Sequence, residues 1–221
     1  DALINQGIVR RAVELMPAEL PALILPMSWV GRSVEHVDFP GTLTLGAETL
    51  ARVWYETGAS VARAGVRRLL ILNSHGGQIQ AMQTVGRELR IRQRMLVATA
   101  SWPQLGLPEG LVGAEERQFG IHAGDVETSL MLALHAELVA MEQARDFVPL
   151  TRRLREAAPL LVGLGAAGFG WQAQDLHPDG ACGDATAATA ARGHAILDHV
   201  AARLVALIGE LAAFDLAALR D

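Results

Sequence analysis

No lysine occurs in the 221 residues, and all 19 basic side chains are arginine. That excludes a lysine Schiff base and the lysine of a phosphate-binding P-loop. Cysteine is nearly as scarce. The single Cys182 rules out an internal disulfide framework and a cysteine-based zinc cluster, and it makes a reducing cytoplasm the expected compartment. Basic residues never run longer than a pair and the net charge is -5, so a nucleic-acid partner is not expected. No apolar run has the length of a bilayer span and no stretch reads as a signal peptide, so no membrane partner is expected either. Also missing are H-E-x-x-H, G-x-S-x-G and G-x-G-x-x-G, the patterns of common zinc proteases, esterases and dinucleotide-binding domains. The chain begins at Asp1 and not at methionine, and it reads as a processed or truncated product.

What remains is the composition of a globular protein, 51% hydrophobic and 19% charged, long enough for one large α/β domain with a sizeable core. Helical spacing of Leu3, Ile4, Ile8, Ala12, Leu15 and Met16 predicts a first helix ending at Pro17. Asp1 stands where an N-cap belongs, or it serves as a ligand. Pro21–Met27 reads as a short buried strand, and Thr42–Leu45 alternates like another. An amphipathic helix follows over Ala47–Ala64, closed by Gly65. Then come a strand over Val66–Leu72, a helix over Ile79–Arg92 and a strand over Met95–Ala100. Strands alternating with helices imply right-handed crossovers and a parallel sheet. Further on, a helix is expected through Leu130–Leu138, a strand and turn within Leu160–Gly170, and a long alanine-rich helix to Phe214 capped by Asp184 or Thr186. With no internal repeat or linker, residues 1–221 are read as a single domain.

Three segments carry candidate chemistry. The apolar run Leu69–Leu72 stops at Asn73-Ser74-His75-Gly76-Gly77-Gln78, which puts His75 at a strand's carboxyl end, where α/β sheets bind ligands. His75 there offers a neutral imidazole to a metal or a proton; a plain surface histidine after a strand-to-helix turn is the competing account. Gly31-Arg32-Ser33-Val34-Glu35-His36 leads into Phe39-Pro40-Gly41-Thr42, a loop too rich in acid and imidazole to be mere connection, although Glu35 and His36 also read as a solvated pair. His122 stands just ahead of Asp125 and Glu127 in the first turn of a helix, where the helix dipole alone accounts for carboxylates but a site rim does equally well. Histidines and carboxylates from separate strand ends suit a zinc or manganese hydrolase, in which the metal polarises a carbonyl and acidifies water.

Taken together, Asn73–Gln78, the Glu35-His36 loop with Phe39-Pro40-Gly41-Thr42, the His122-Ala123-Gly124-Asp125-Val126-Glu127-Thr128-Ser129 block and Gly183-Asp184-Ala185-Thr186-Ala187-Ala188-Thr189 resemble the creatininase (creatinine amidohydrolase) family. The blocks fall in the family's order across nearly the whole chain. The resemblance implies a three-layer α/β/α sandwich with a mostly parallel central sheet. It also implies a dinuclear Zn2+ or Mn2+ centre, with Fe2+ a further option, that hydrolyses a C–N amide bond through a metal-bound hydroxide in a homo-oligomer, commonly a hexamer. By that resemblance Asp1, His75 and Glu127 hold metal, and His122 passes a proton to the leaving nitrogen. Glu35 assists on the substrate side, and His36, Ser33, Gly76, Gly77 and Trp171 meet a small-molecule amide substrate. Family members carry an E-x-H strand ahead of the aspartate matched by Asp1, so that strand is expected to be absent here. Where creatininase itself has a metal-binding glutamate two residues after the metal histidine, this chain has Gly77. The tryptophan region near Gln118 does not match, which argues against creatinine itself. The loop Gly31–His36 also resembles the Gly-x-Ser-Gly-Glu-His loop of peptidase-like members that trim a redox-cofactor precursor peptide. A non-catalytic oligomeric α/β domain with an incomplete metal site is the remaining alternative.

Overall fold

The computed structural model describes residues 1–161 and 167–220. These divide into two compact units, the first comprising Asp1–Val34, Leu43–Gly106 and Val200–Asp221, the second Glu35–Thr42 and Leu107–His199.

The first unit is built on a parallel pair of strands. Strand β1 (Arg68–Asn73) lies beside β2 (Leu96–Ser101), with Arg68 opposite Leu96 and Asn73 opposite Ser101. The two are joined by helix α3 (Ile79–Gln93), the crossover that parallel pairing requires. Helix α2 (Ala47–Arg63) packs against α3. Leu50, Met82, Val85, Leu89 and Met95 are buried between these elements, and each such side chain taken fully from water stabilises the fold by about 1.5–3 kcal/mol. Helix α1 (Ala2–Leu15) buries Ile4, Ile8 and Ala12, one face at helical spacing. Helix α3 ends without a glycine: Arg94 itself takes the left-handed conformation at φ 53°.

Two expected strands did not form. Pro21–Met27 is irregular, with Leu23 93% exposed and Ile24 and Leu25 exposed beside it. Pro21 and Pro26 have no N–H to give a ladder, and an apolar run becomes a strand only when another strand satisfies its backbone. Thr42–Leu45 is likewise irregular, held by one backbone bond from Leu45 N to Gly31 O at 2.8 Å.

The second unit holds α5 (Asp125–His135) and the short helices α4 (Ala114–Phe119), α6 (Leu150–Leu154) and α7 (Ala173–Leu176), of which α6 and α7 pack together. Strands β3 (Asp146–Phe147) and β4 (Gly183–Asp184) pair antiparallel. His122 and Cys182 form a separate antiparallel bridge, with bonds of 3.3 and 2.7 Å. Helix α8 (Ala190–Ala213) is the long alanine-rich helix. Its first turn is capped by Thr189, whose Oγ1 accepts from Arg192 N at 3.2 Å, while Asp184 caps the tighter turn before it by accepting from Thr186 N. The strand and turn expected within Leu160–Gly170 fall on a stretch whose residues 162–166 lie outside those described. No helix among the described residues is long and apolar enough to cross a membrane.

Candidate functional site

In the first unit the candidate residues gather at the carboxyl end of β1. Asp1 occupies the N-cap position of α1, yet its side chain makes no cap hydrogen bond. Instead Asp1 Oδ2 lies 3.1 Å from His75 Nδ1. The side chain thus faces His75 and not the first turn of its own helix. Two donors to one small divalent ion, each at about 2.0–2.2 Å, stand about 3 Å apart, so this spacing fits a shared metal.

The residues behind His75 hold it there. Asn73, buried at the last position of β1, donates to His75 O at 2.7 Å and to Ser101 Oγ at 2.9 Å, and its Oδ1 accepts from His75 N and from Gln78 Nε2. The buried Trp102 donates through Nε1 to Ser74 Oγ, which in turn donates to Asp1 O at 2.9 Å. The Asp1 and His75 backbones are thereby held by hydrogen bonds with Ser74 and the buried Asn73. Gly77 O accepts from the Arg32 guanidinium at 2.7 Å, and Ser33 N donates to Thr44 Oγ1. Gly76 and Gly77 form the single turn that leads from His75 into α3.

In the second unit Glu35, His36, His122 and Glu127 form one chain of contacts. Glu35 Oε1 is 3.6 Å from His36 Nδ1, and the two side chains are only 10% and 16% exposed, so they are not a solvated pair. The His36 and His122 rings meet with centroids 4.7 Å apart. His122 Nδ1 lies 3.6 Å from Glu127 Oε2, which also accepts from Ala123 N at 2.8 Å. Ala123 is held at φ 55°, a conformation that costs a non-glycine residue of the order of 1 kcal/mol and is concentrated at functional sites. A cavity of about 290 Å³ opens over the imidazoles, lined by His36, Phe39, Thr42, His122, Asp179 and Gly180. Thr42 Oγ1 closes the loop below it by donating to His36 O. Trp171 is half-buried ahead of α7, outside the lining of that cavity.

Two acidic residues nearby serve the scaffold. Buried Asp125 pairs with the Arg192 guanidinium of α8 and accepts from Ser129 Oγ, which accepts in turn from Thr189 N at 3.1 Å. Glu116 is the group that the sequence pattern did not single out. Its carboxylate lies against Gly120, Gly124 and Gly183, each so close that a Cβ would collide with it. Oε2 accepts from Asp184 N at 3.1 Å, while Oε1 is buried without a well-formed hydrogen bond. Burial pushes this carboxyl above the usual carboxylate range, only partly offset by the N–H groups of Asp184, Asp125 and Val126. The run of glycines around His122 was the available signal, since glycines clustered without a turn to explain them mark close approach.

Comparisons with known proteins show the family. The creatinine amidohydrolase (creatininase) family model matches residues 1–208, and the chain belongs to that family. Among its relatives, the mycofactocin precursor peptide peptidase of Mycobacterium ulcerans (strain Agy99) is 35% identical over 176 residues, 79% of this chain and 60% of the relative. The creatinine amidohydrolase of Pseudomonas putida is 29% identical over 171 residues, 68% of this chain and 63% of its own length. The chain thus spans somewhat under two thirds of both. A crystal structure of creatinine amidohydrolase (creatininase) superimposes with a TM-score of 0.74 at 24% identity, covering 97% of this chain and 83% of that one. The fold is therefore the α/β creatininase fold.

Proposed function

We propose that this chain carries the centre of a divalent-metal amidohydrolase that cleaves a C–N amide bond, cyclic or linear, in a small molecule. The observation that carries the reading is that Asp1 leaves the cap of α1 unmade and faces His75 across 3.1 Å, a spacing that suits two ligands of one ion. Asp1 and His75 would hold metal, with zinc and manganese the ions that suit imidazole and carboxylate donors; Glu127 is proposed as a metal carboxylate on the family resemblance. When bound, such an ion polarises a carbonyl and makes water nucleophilic near neutral pH.

The chain's own groups supply the rest. Glu127 Oε2, near His122 Nδ1, orients that imidazole, and His122 is the group that protonates the departing nitrogen. His36, packed against His122 and steadied by Glu35, lines the substrate side with Thr42. Ser33, Gly76, Gly77 and Trp171 are further residues proposed to meet substrate. The protein would work as a homo-oligomer, the hexamer common in its family.

The test is metal content per chain by plasma mass spectrometry beside amide hydrolysis. His75→Ala is expected to lose both bound metal and turnover; unchanged metal content in that variant would sink the assignment. The higher identity to a relative named as a peptide peptidase favours a second reading, trimming of a small peptide. Release of amino acids from a peptide, against opening of a lactam, separates the two. Absence of metal and turnover in the unsubstituted chain would leave a non-catalytic domain.

A further inference from the structure

A second recess adjoins the cavity over His36 and His122, and nothing in the proposed chemistry uses it. It holds about 410 Å³ and shares Phe39 and Asp179 with the first, a volume at the lower end of ordinary small-molecule pockets. The imidazoles of His36 and His122 line the first recess and not the second. Resting on the amidohydrolase reading, we propose that the second recess is a specificity subsite for the part of the substrate beyond the cleaved bond, and that this part is an aromatic ring bearing a carboxylate.

The lining is what argues for that class. Phe39, Phe147 and Pro178 line it together with Gln143, Arg145 and Asp179, so ring edges and polar groups share a wall in which the polar groups predominate. The Arg145 guanidinium stands 5.8 Å from the centroid of the Phe147 ring, within the range of a cation–π contact. The Phe147 ring meets His177 edge-on at 5.4 Å. Arg145 and Phe147 are two apart along an extended segment and so share one face.

That face is rigid. Phe147 is paired with Gly183 in the β3–β4 ladder, and Arg145 O accepts from Ala185 N at 3.0 Å. Gly180, in the lining of the first recess, sits at φ 74°, and a Cβ there would lie 2.6 Å from the Phe39 ring, so that position is closed to any larger residue. Asp179 lies 3.6 Å from Arg145, a longer contact than a formed hydrogen bond. A guanidinium has five donors in a fixed fork, and a ligand carboxylate accepting two parallel N–H bonds would be held far more tightly than by that contact. Asp179 then keeps the guanidinium aimed along the rim, and it discourages a ligand whose carboxylate would point towards the imidazoles.

The test separates the subsite from the reaction. Binding of phenylacetate and of neutral phenylacetamide to the full chain is followed by nuclear magnetic resonance shifts of the Phe147 and His177 rings. Phenylacetate is expected to bind more tightly and to shift both rings. Arg145→Ala should weaken it about 10-fold to 100-fold, the range for one hydrogen bond to a charged group, and Arg145→Lys should recover part of the loss. Equal binding of acid and amide, or an undiminished preference for the acid in Arg145→Ala, would overturn the proposal. In parallel, the metal-loaded protein is offered amides that differ only in a carboxylate or carboxamide on the aryl group. The ratio of kcat/KM for acid over amide should fall with Arg145→Ala through KM. Ring shifts and a carboxylate preference without hydrolysis of any amide would retain the recess as an aryl-carboxylate site and reject the amidohydrolase reading. Hydrolysis blind to the carboxylate would do the reverse.

Discussion

Gly193→Ala should destabilise this protein although it replaces a helical glycine with the best helix former. Position 193 lies in the first turns of α8, against α5. A Cβ built there would fall deep inside van der Waals contact with the Ser129 carbonyl and 2.8 Å from Ala133 Cβ. The Ser129 carbonyl belongs to the backbone of a helix, so it cannot rotate aside as a side-chain tip would. Relief requires α5 and α8 to separate, and overpacking of that kind costs about 1–3 kcal/mol. Separation also stretches the bonds that cross this contact, Thr189 N to Ser129 Oγ and Arg192 to the buried Asp125. Weakening a hydrogen bond to a buried charge costs about 1.5–3 kcal/mol more if it is lost, against a helix-propensity gain of about 1 kcal/mol. The net expectation is a loss of about 2–4 kcal/mol. Gly209→Ala on the same helix is the control, because a Cβ there meets nothing within 4 Å. It should stabilise by about 0.5–1 kcal/mol. Urea unfolding, with midpoint and slope fitted for each variant, reads both. A Gly193→Ala midpoint at or above that of the parent, or equal shifts for the two variants, would refute the reasoning. Because α5 also carries Glu127, Gly193→Ala should in addition disturb the His122 imidazole resonances, which Gly209→Ala should leave in place.

Two further expectations concern titrating groups in the same unit. Burial pushes the Cys182 thiol up to about 11 from its ordinary 9.0, and each unit is a tenfold change in thiolate. Labelling by a disulfide reagent at pH 8 should therefore be at least about 100-fold slower in the folded protein than in urea; equal rates would contradict the burial of that thiol. Glu116 has a folded pKa raised above 4.5, mainly by desolvation, so the native state binds its proton more tightly than the unfolded chain. Its contribution is full below about pH 4.5 and is lost as the pH rises through the folded value. Glu116→Gln removes that decline, so the stability of the parent relative to the variant should fall with rising pH across this window. A difference that is flat, or that grows with pH, would show that the carboxylate is not held as the fold implies.

What could be read in advance, and what could not, divides along physical lines. The run from Val66 to Arg92 was legible because each part is specified locally: an apolar run of strand length, a glycine turn and a helical period. The structure gives β1 over Arg68–Asn73 and α3 over Ile79–Gln93. Pro21–Met27 is as apolar as β1, but being a strand is a property of two segments and not of one, and here no ladder forms. Helix bounds agree to within a residue for α2 and α3, whereas the caps do not follow from the sequence. Arg94 takes the left-handed conformation that a glycine usually marks, and Thr189 caps α8 in place of Asp184 or Thr186, choices made by packing among residues equally able to cap.

The site shows the same division at finer grain. His75, His122, Glu35, His36 and Glu127 could be named because their neighbours in sequence are distinctive. That Asp1 would face His75, 74 residues away, and not its own helix was left open until both were placed. Glu116 was hidden more completely. Its setting is made by Gly120, Gly124 and Gly183 and by the backbone N–H of Asp184, 68 residues on, so the nearby glycines signal a close approach without telling which of Glu115 and Glu116 makes it. Those two adjacent glutamates respond to the fold in opposite directions. Arg155 and Arg152 draw the exposed Glu115 carboxyl down, while burial against the glycines drives Glu116 up. One residue type at consecutive positions thus serves as a surface ion pair and as a buried prop under the turn that carries His122 and Glu127. The difference lies in which way each faces across α4, and only packing decides that.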